Sequence, residues 1–153
     1  MKKYSVPKNF HSSVGHNSLD HYQSLRENAK QDSNSYWESV ANRIDWFDKW
    51  TTVNNTDYSK AHIEWFSNGK LNASYNCIDR HIENGLGEKT ALIWQSNDPT
   101  ISKNVTYNEL LEKVSLFANG LKRAGIKKGD RVCIYMQMIP EAIVAMLACA
   151  RIG

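Results

Sequence analysis

The stretch Gly129-Asp130-Arg131-Val132-Cys133-Ile134-Tyr135-Met136-Gln137-Met138-Ile139-Pro140-Glu141-Ala142 decides the fold class. After Gly129-Asp130 turns the chain, the run from Val132 to Met136 is continuously apolar, as in a central parallel strand covered on both faces. Pro140 opens a helix at the position where its missing N–H costs nothing. That helix, running toward Gly153, is apolar nearly all round and so must be buried. A strand followed by a buried helix is half of an α/β unit, which requires another strand beside the first. Gly153 is reached before one is met, so the chain reads as an α/β domain cut partway.

Upstream of this unit the signals remain strong. Thr106-x-x-Glu109 is a capping box, in which the threonine hydroxyl accepts from the N–H three residues on and Glu109 reaches back. The helix it opens has Leu110, Leu111, Val114, Phe117, Ala118 and Leu121 on its apolar face. Lys122 and Arg123 suit its negative end, and Gly125 supplies the left-handed residue that stops it. Before it, the β-prone runs Thr90–Trp94 and Lys103–Tyr107 flank the turn Asn97-Asp98-Pro99, giving a hairpin or meander.

The first half of the chain has a different texture. Residues 1–17 are polar, without apolar periodicity, and read as a flexible tail. Ser18 caps a helix through Lys30, and Ser33 a second one bearing Tyr36, Trp37, Val40 and Ile44. Trp46, Phe47 and Trp50 follow irregularly, and Trp65-Phe66 before Asn68-Gly69 predicts a small hairpin about that turn. Asn72 or Ser74 caps a further helix with Tyr75, Ile78 and Ile82 on one stripe, ended by Asn84-Gly85. The division expected is a tail over 1–17, an aromatic-rich and mainly helical region over 18–88, and the start of an α/β domain over 89–153.

Composition bounds the function. The chain has 153 residues, 41% apolar, and a formal charge of +3 that is not gathered into a block, so neither a nucleic-acid nor an anionic-membrane partner is indicated. Its longest apolar stretch, Ile139–Ile152, carries Glu141 and Arg151 and falls short of a membrane span, and the N-terminus lacks the apolar core of a secretory signal. Three cysteines, with Cys133 and Cys149 in apolar settings, suit buried free thiols in a reducing compartment, so the cytoplasm is expected.

The motifs that resemble chemistry read more simply as structure. Gly85-Leu-Gly87-Glu-Lys89-Thr90 has glycines and a lysine, but Glu88 interrupts the Gly-Lys-Ser/Thr a phosphate loop needs, and the order is helix then strand. Cys77 and His81 lie one helical turn apart with His62 upstream, yet a zinc site needs a fourth ligand, and packing is the better reading. Asp79-Arg80-His81 are consecutive on a helix and point apart, which fits a salt-bridged helix face. The aromatics Trp37, Trp46, Phe47, Trp50, Trp65 and Phe66 have no basic groove beside them and serve packing rather than base stacking.

Taken in order, Tyr36-Trp37-Glu38, Asp45-Trp46-Phe47, Trp65-Phe66-x-x-Gly69-Lys70-Leu71-Asn72 and Tyr75-Asn76-Cys77-Ile78-Asp79-Arg80-His81 resemble the N-terminal part of acetyl-CoA synthetases. Thr106-Tyr107-x-Glu109-Leu110, Gly129-Asp130-Arg131-Val132, Ile139-Pro-Glu-Ala142 and Ala145-Met-Leu-Ala-Cys-Ala-Arg-Ile-Gly153 continue the resemblance, which runs unbroken from about Tyr22 to Gly153. Gln137 departs from it, standing where the family usually has proline. The resemblance implies an AMP-forming acetate–CoA ligase that uses ATP, Mg2+ and CoA and passes through acetyl-adenylate. It implies an α/β fold in which a mainly helical N-terminal region precedes the first β-hairpin and βαβα elements of an adenylate-forming domain. The family's phosphate loop, adenine pocket, CoA-binding arginines and adenylation lysine all lie beyond Gly153, so it places no catalytic, cofactor-binding or metal-binding residue here, and no bound cofactor is expected on this segment. Propionate–CoA ligases are similar but vary around Lys70-Leu71-Asn72, Cys77 and His81; a free-standing, non-catalytic interaction module is the other class that fits.

Overall fold

A computed structural model describes residues 18–153, which group into two compact units. One comprises the described residues up to Arg43 together with Thr51–Ser67, the other Ile44–Trp50 together with Asn68–Gly153.

In the first unit, α1 (Leu19–Gln31) starts as expected at Ser18, whose hydroxyl accepts from the His21 N–H at 3.1 Å. Helix α2 (Ser33–Ala41) is capped by Asp32 rather than the expected Ser33, the carboxylate accepting from the Ser35 N–H at 3.0 Å. A charged acceptor suits a helix's positive end, and Asp32 lies one residue earlier. Because α2 ends at Ala41, Ile44 is not on it. Strand β1 (Thr52–Asn54) pairs antiparallel with β2 (Trp65–Ser67), Thr52 opposite Ser67 and Asn54 opposite Trp65.

The strand at Trp65 thus pairs backward, and the hairpin expected about Asn68-Gly69 does not form. Of those two residues only Asn68 takes a left-handed conformation (φ 64°), whereas a two-residue hairpin turn of that type needs positive φ at both. The connection from β1 to β2 is closed instead by Asn55, whose N–H donates to the Glu64 carbonyl and whose amide donates to the Glu64 carboxylate.

In the second unit, Asn72 caps α3 (Ala73–Cys77) through a 3.1 Å bond from the Tyr75 N–H. The single helix expected here breaks at Ile78 (φ −128°, ψ −69°) into α3 and the short α4 (Asp79–His81). The break accompanies complete burial of Ile78 in the core. A wide π-type turn, Ile82–Leu86, follows, and Gly85 leaves helical geometry within it at φ 79°, where the Asn-Gly signal falls. Strands β3 (Thr90–Gln95) and β4 (Ser102–Thr106) form the expected hairpin, with Leu92 opposite Val105 and an irregularity between Thr90 and Leu92.

The capping box at Thr106 is complete on both sides and opens α5 (Tyr107–Arg123), after which Gly125 turns left-handed at φ 96°. Helix α6 (Pro140–Ile152) begins with the proline in its first turn. Leu110, Val114 and Ala118 of α5 meet Val144 and Ala148 of α6 over Ile78 and Val105, and this cluster is the core. Phe117 is the exception to the predicted stripe: it stands 40% exposed beside Leu116, Gly120 and Leu121, one step round the helix from Ala118.

Residues 131–137 depart most from expectation: they form no strand. Both sheets among the described residues are two-stranded and antiparallel, and neither includes this run. A strand exists only through the hydrogen bonds of a neighbour, and without one Tyr135 is fully exposed, Met136 half exposed and Cys133 exposed rather than buried. Cys149 is half-buried, and all three cysteines are free thiols. The run is fixed at its ends: the Gly129 N–H donates to the Gly153 carbonyl at 2.8 Å, and the Trp94 indole N–H to the Met138 carbonyl at 2.8 Å. The described residues are therefore mixed α and β with small antiparallel sheets, and the parallel pairing that defines the α/β class is not formed among them.

Candidate functional site

The N-terminus of α5 is the place where a helix's orphan N–H groups could hold a phosphate. They are already used. The Tyr107 N–H donates to the Lys89 carbonyl (3.1 Å), the Asn108 N–H to the Gly87 carbonyl (3.0 Å) and the Glu109 N–H to the Thr106 hydroxyl (3.2 Å). The Asn108 amide also donates to Glu88 at 2.7 Å, so the glycine stretch folds over the helix end as a lid of carbonyls. A Cβ at Gly87 would lie 2.7 Å from the Asn108 side chain, so a larger residue there would displace that amide. Acceptors facing the helix repel an anion, so Gly85–Thr90 is a structural clasp with the helix-then-strand order read from the sequence.

The most elaborate polar site joins α3 and α4 to the last turn of α6. Asp79 accepts two charge-assisted bonds from Arg151, at 2.6 and 2.8 Å, the fork geometry that suits guanidinium and carboxylate. Arg151 also donates to the buried Ser74 hydroxyl at 3.3 Å. The Asn72 amide donates to the carbonyls of Ala150 (3.0 Å) and Arg151 (3.3 Å), two acceptors that the end of α6 leaves without helical partners. Its hydrogen bond to Asp79 holds the Arg151 guanidinium above its ordinary pKa, against the smaller effect of burial. Every strong group here is matched by a protein partner, so the site binds the fold together and offers nothing nucleophilic.

Asp79, Arg80 and His81 point apart as their spacing requires. Asp79 reaches Arg151, Arg80 donates to the Asn76 side chain at 3.2 Å, and the His81 ring lies 5.0 Å from that of Tyr107. The ion pair is consequently long-range, not along the helix face. Its signal was present in the sequence, because Arg151 is the one basic residue of an otherwise largely apolar helix and a shielded charge needs a partner.

His62 faces Glu64 at 3.4 Å, Cys77 is exposed, and among the described residues no group of three His, Cys, Asp or Glu is placed to hold a metal ion. The aromatics form edge-on pairs: Trp37 with Trp65 (6.1 Å) in the first unit, and Trp46 with Trp50 (4.9 Å) and Phe47 with Tyr75 (5.2 Å) in the second. The second pair of contacts is anchored by Asn76, which accepts from the Asp45 N–H at 2.8 Å and donates to the Asp45 carbonyl at 2.9 Å. The Tyr75 hydroxyl donates to Glu83 at 2.6 Å, and that bond pushes its pKa up to about 12.

Two of the hollows among the described residues lie along α5 and α6. One of about 490 Å³ is lined by Leu116, Phe117, Gly120, Leu121 and Val144, with Lys113 at its edge. The other, about 370 Å³, lies among Ser115, Asn119, Lys122 and Arg151, where the negative ends of α5 and α6 gather. Neither joins a nucleophile to a base or a carboxylate pair, and neither offers the N–H cradle a transferring phosphate needs.

Sequence comparison supplies what this geometry does not. The profile for the acetyl-coenzyme A synthetase N-terminus matches residues 22–77, and that for AMP-binding enzymes matches residues 79–153. The chain belongs to the acetyl-CoA synthetase family. It is 50% identical over 157 aligned positions to the acetyl-coenzyme A synthetase of Magnetococcus marinus, covering 100% of this chain and 24% of that protein. It is 46% identical to the Halorhodospira halophila acetyl-coenzyme A synthetase, over 99% of this chain and 23% of that one. With the Sinorhizobium fredii acetyl-coenzyme A synthetase the identity is 53%, over 83% and 20% respectively. The chain thus spans about a quarter of the length of the acetyl-CoA synthetases it matches. Among the described residues no helix is long and apolar enough to cross a membrane.

Proposed function

We propose that this chain is the N-terminal part of an AMP-forming acetate–CoA ligase and that it contributes scaffold, not chemistry. The observation that carries the reading is the order of the two profile matches, 22–77 and then 79–153, with almost nothing between them. In this reading the whole protein joins acetate to ATP as acetyl-adenylate, releasing pyrophosphate, and then passes the acetyl group to CoA. A carboxylate is a poor acylating agent, and the mixed anhydride gives it a good leaving group. The tail expected over 1–17 lies outside the described residues; 18–88 is the aromatic-rich N-terminal region and 89–153 the start of the nucleotide-binding domain.

ATP, Mg2+ and CoA would be held by residues outside this chain, a reading supported by α5, whose first N–H groups are already taken. The partners are small molecules, with no nucleic acid or membrane among them, and the setting is cytoplasmic.

The test is product formation by the protein expressed from the gene to its natural stop codon. Acetate, ATP, Mg2+ and CoA should give acetyl-CoA with stoichiometric AMP, faster at equal concentration than propionate gives propionyl-CoA. Preference for propionate would replace the substrate, and ADP in place of AMP would overturn the reaction class.

A further inference from the structure

We draw no further inference here: the strongest candidate, the exposed apolar strip of Tyr135, Met136 and Met138 that follows α5 and leads into α6, restates the unpaired strand already read from the sequence, and nothing in the structure shows what covers it.

Discussion

Arg151 shows how one residue can decide the reading of a helix. In α6 it follows Ala145, Ala148 and other apolar residues, and it is tolerated there because Asp79, Ser74 and Asn72 meet both its guanidinium and the carbonyls around it. Both side chains of the ion pair are largely shielded, so removal of one partner strands the other. Asp79→Ala should cost roughly 1–3 kcal/mol in a urea titration, between the values of exposed and fully buried pairs. The double variant Asp79→Ala with Arg151→Met should recover part of that loss, and strict additivity would show that the pair is not coupled.

Tyr75 gives the second residue-scale expectation. Its pKa in the fold, about 12, lies above the ordinary value of 10.0, chiefly because its hydroxyl donates to Glu83. An acid whose folded pKa is raised lends stability while the pH stays below its unfolded value, and that contribution is lost as the pH rises from about 10 through 12. Subtracting the alkaline absorbance titration of Tyr75→Phe from that of the unaltered chain should leave one tyrosine with a midpoint near 12, moved toward 10 by Glu83→Gln. A midpoint near 10 in the unaltered chain would show that the bond to Glu83 is not kept in solution.

At the scale of elements, legibility in the sequence followed the range of the forces involved. The Thr106 capping box, the Gly125 stop and the hairpin around Asn97-Asp98-Pro99 are set by neighbours a few residues apart, and each stands where the sequence puts it. The pairing of Trp65–Ser67 with Thr52–Asn54 depends on residues more than ten positions away, and the local Asn68-Gly69 signal pointed in the wrong direction. Periodicity placed Ile78 on the buried stripe but did not encode the break in the helix at that residue.

The run 131–137 has the composition of a strand and, among the described residues, no neighbour to make it one. Its amides in the 153-residue chain should therefore exchange with solvent at close to the rate of an unstructured peptide. Those of Leu92 and Val105 in the hairpin and Val114 in α5 should exchange roughly a hundredfold or more slowly. Protection of 132–136 equal to that of the hairpin would mean that the strand finds a partner after all.

For the molecule as a whole, the sequence names no site residue, and the chemistry the ligase reading requires says what such a site would need. Adenylation needs a preorganised cradle of N–H donors and a cation around the transferring phosphate. The described residues include a capped α5 closed by its own glycine clasp and an α6 anchored through Arg151. The aromatics that suggested ligand stacking are paired with one another or with Tyr75.

The claim that this chain belongs to an acetate-activating ligase while holding none of its chemistry is tested most directly by acetate-dependent exchange of labelled pyrophosphate into ATP. The assay is run with Mg2+ on two proteins, the 153-residue chain and the product of the gene read to its natural stop codon. Exchange by the longer protein and none by the short chain is the predicted result. Exchange by the short chain would place the adenylation site within residues 1–153, and no exchange by the longer protein with either acetate or propionate would contradict the ligase reading itself.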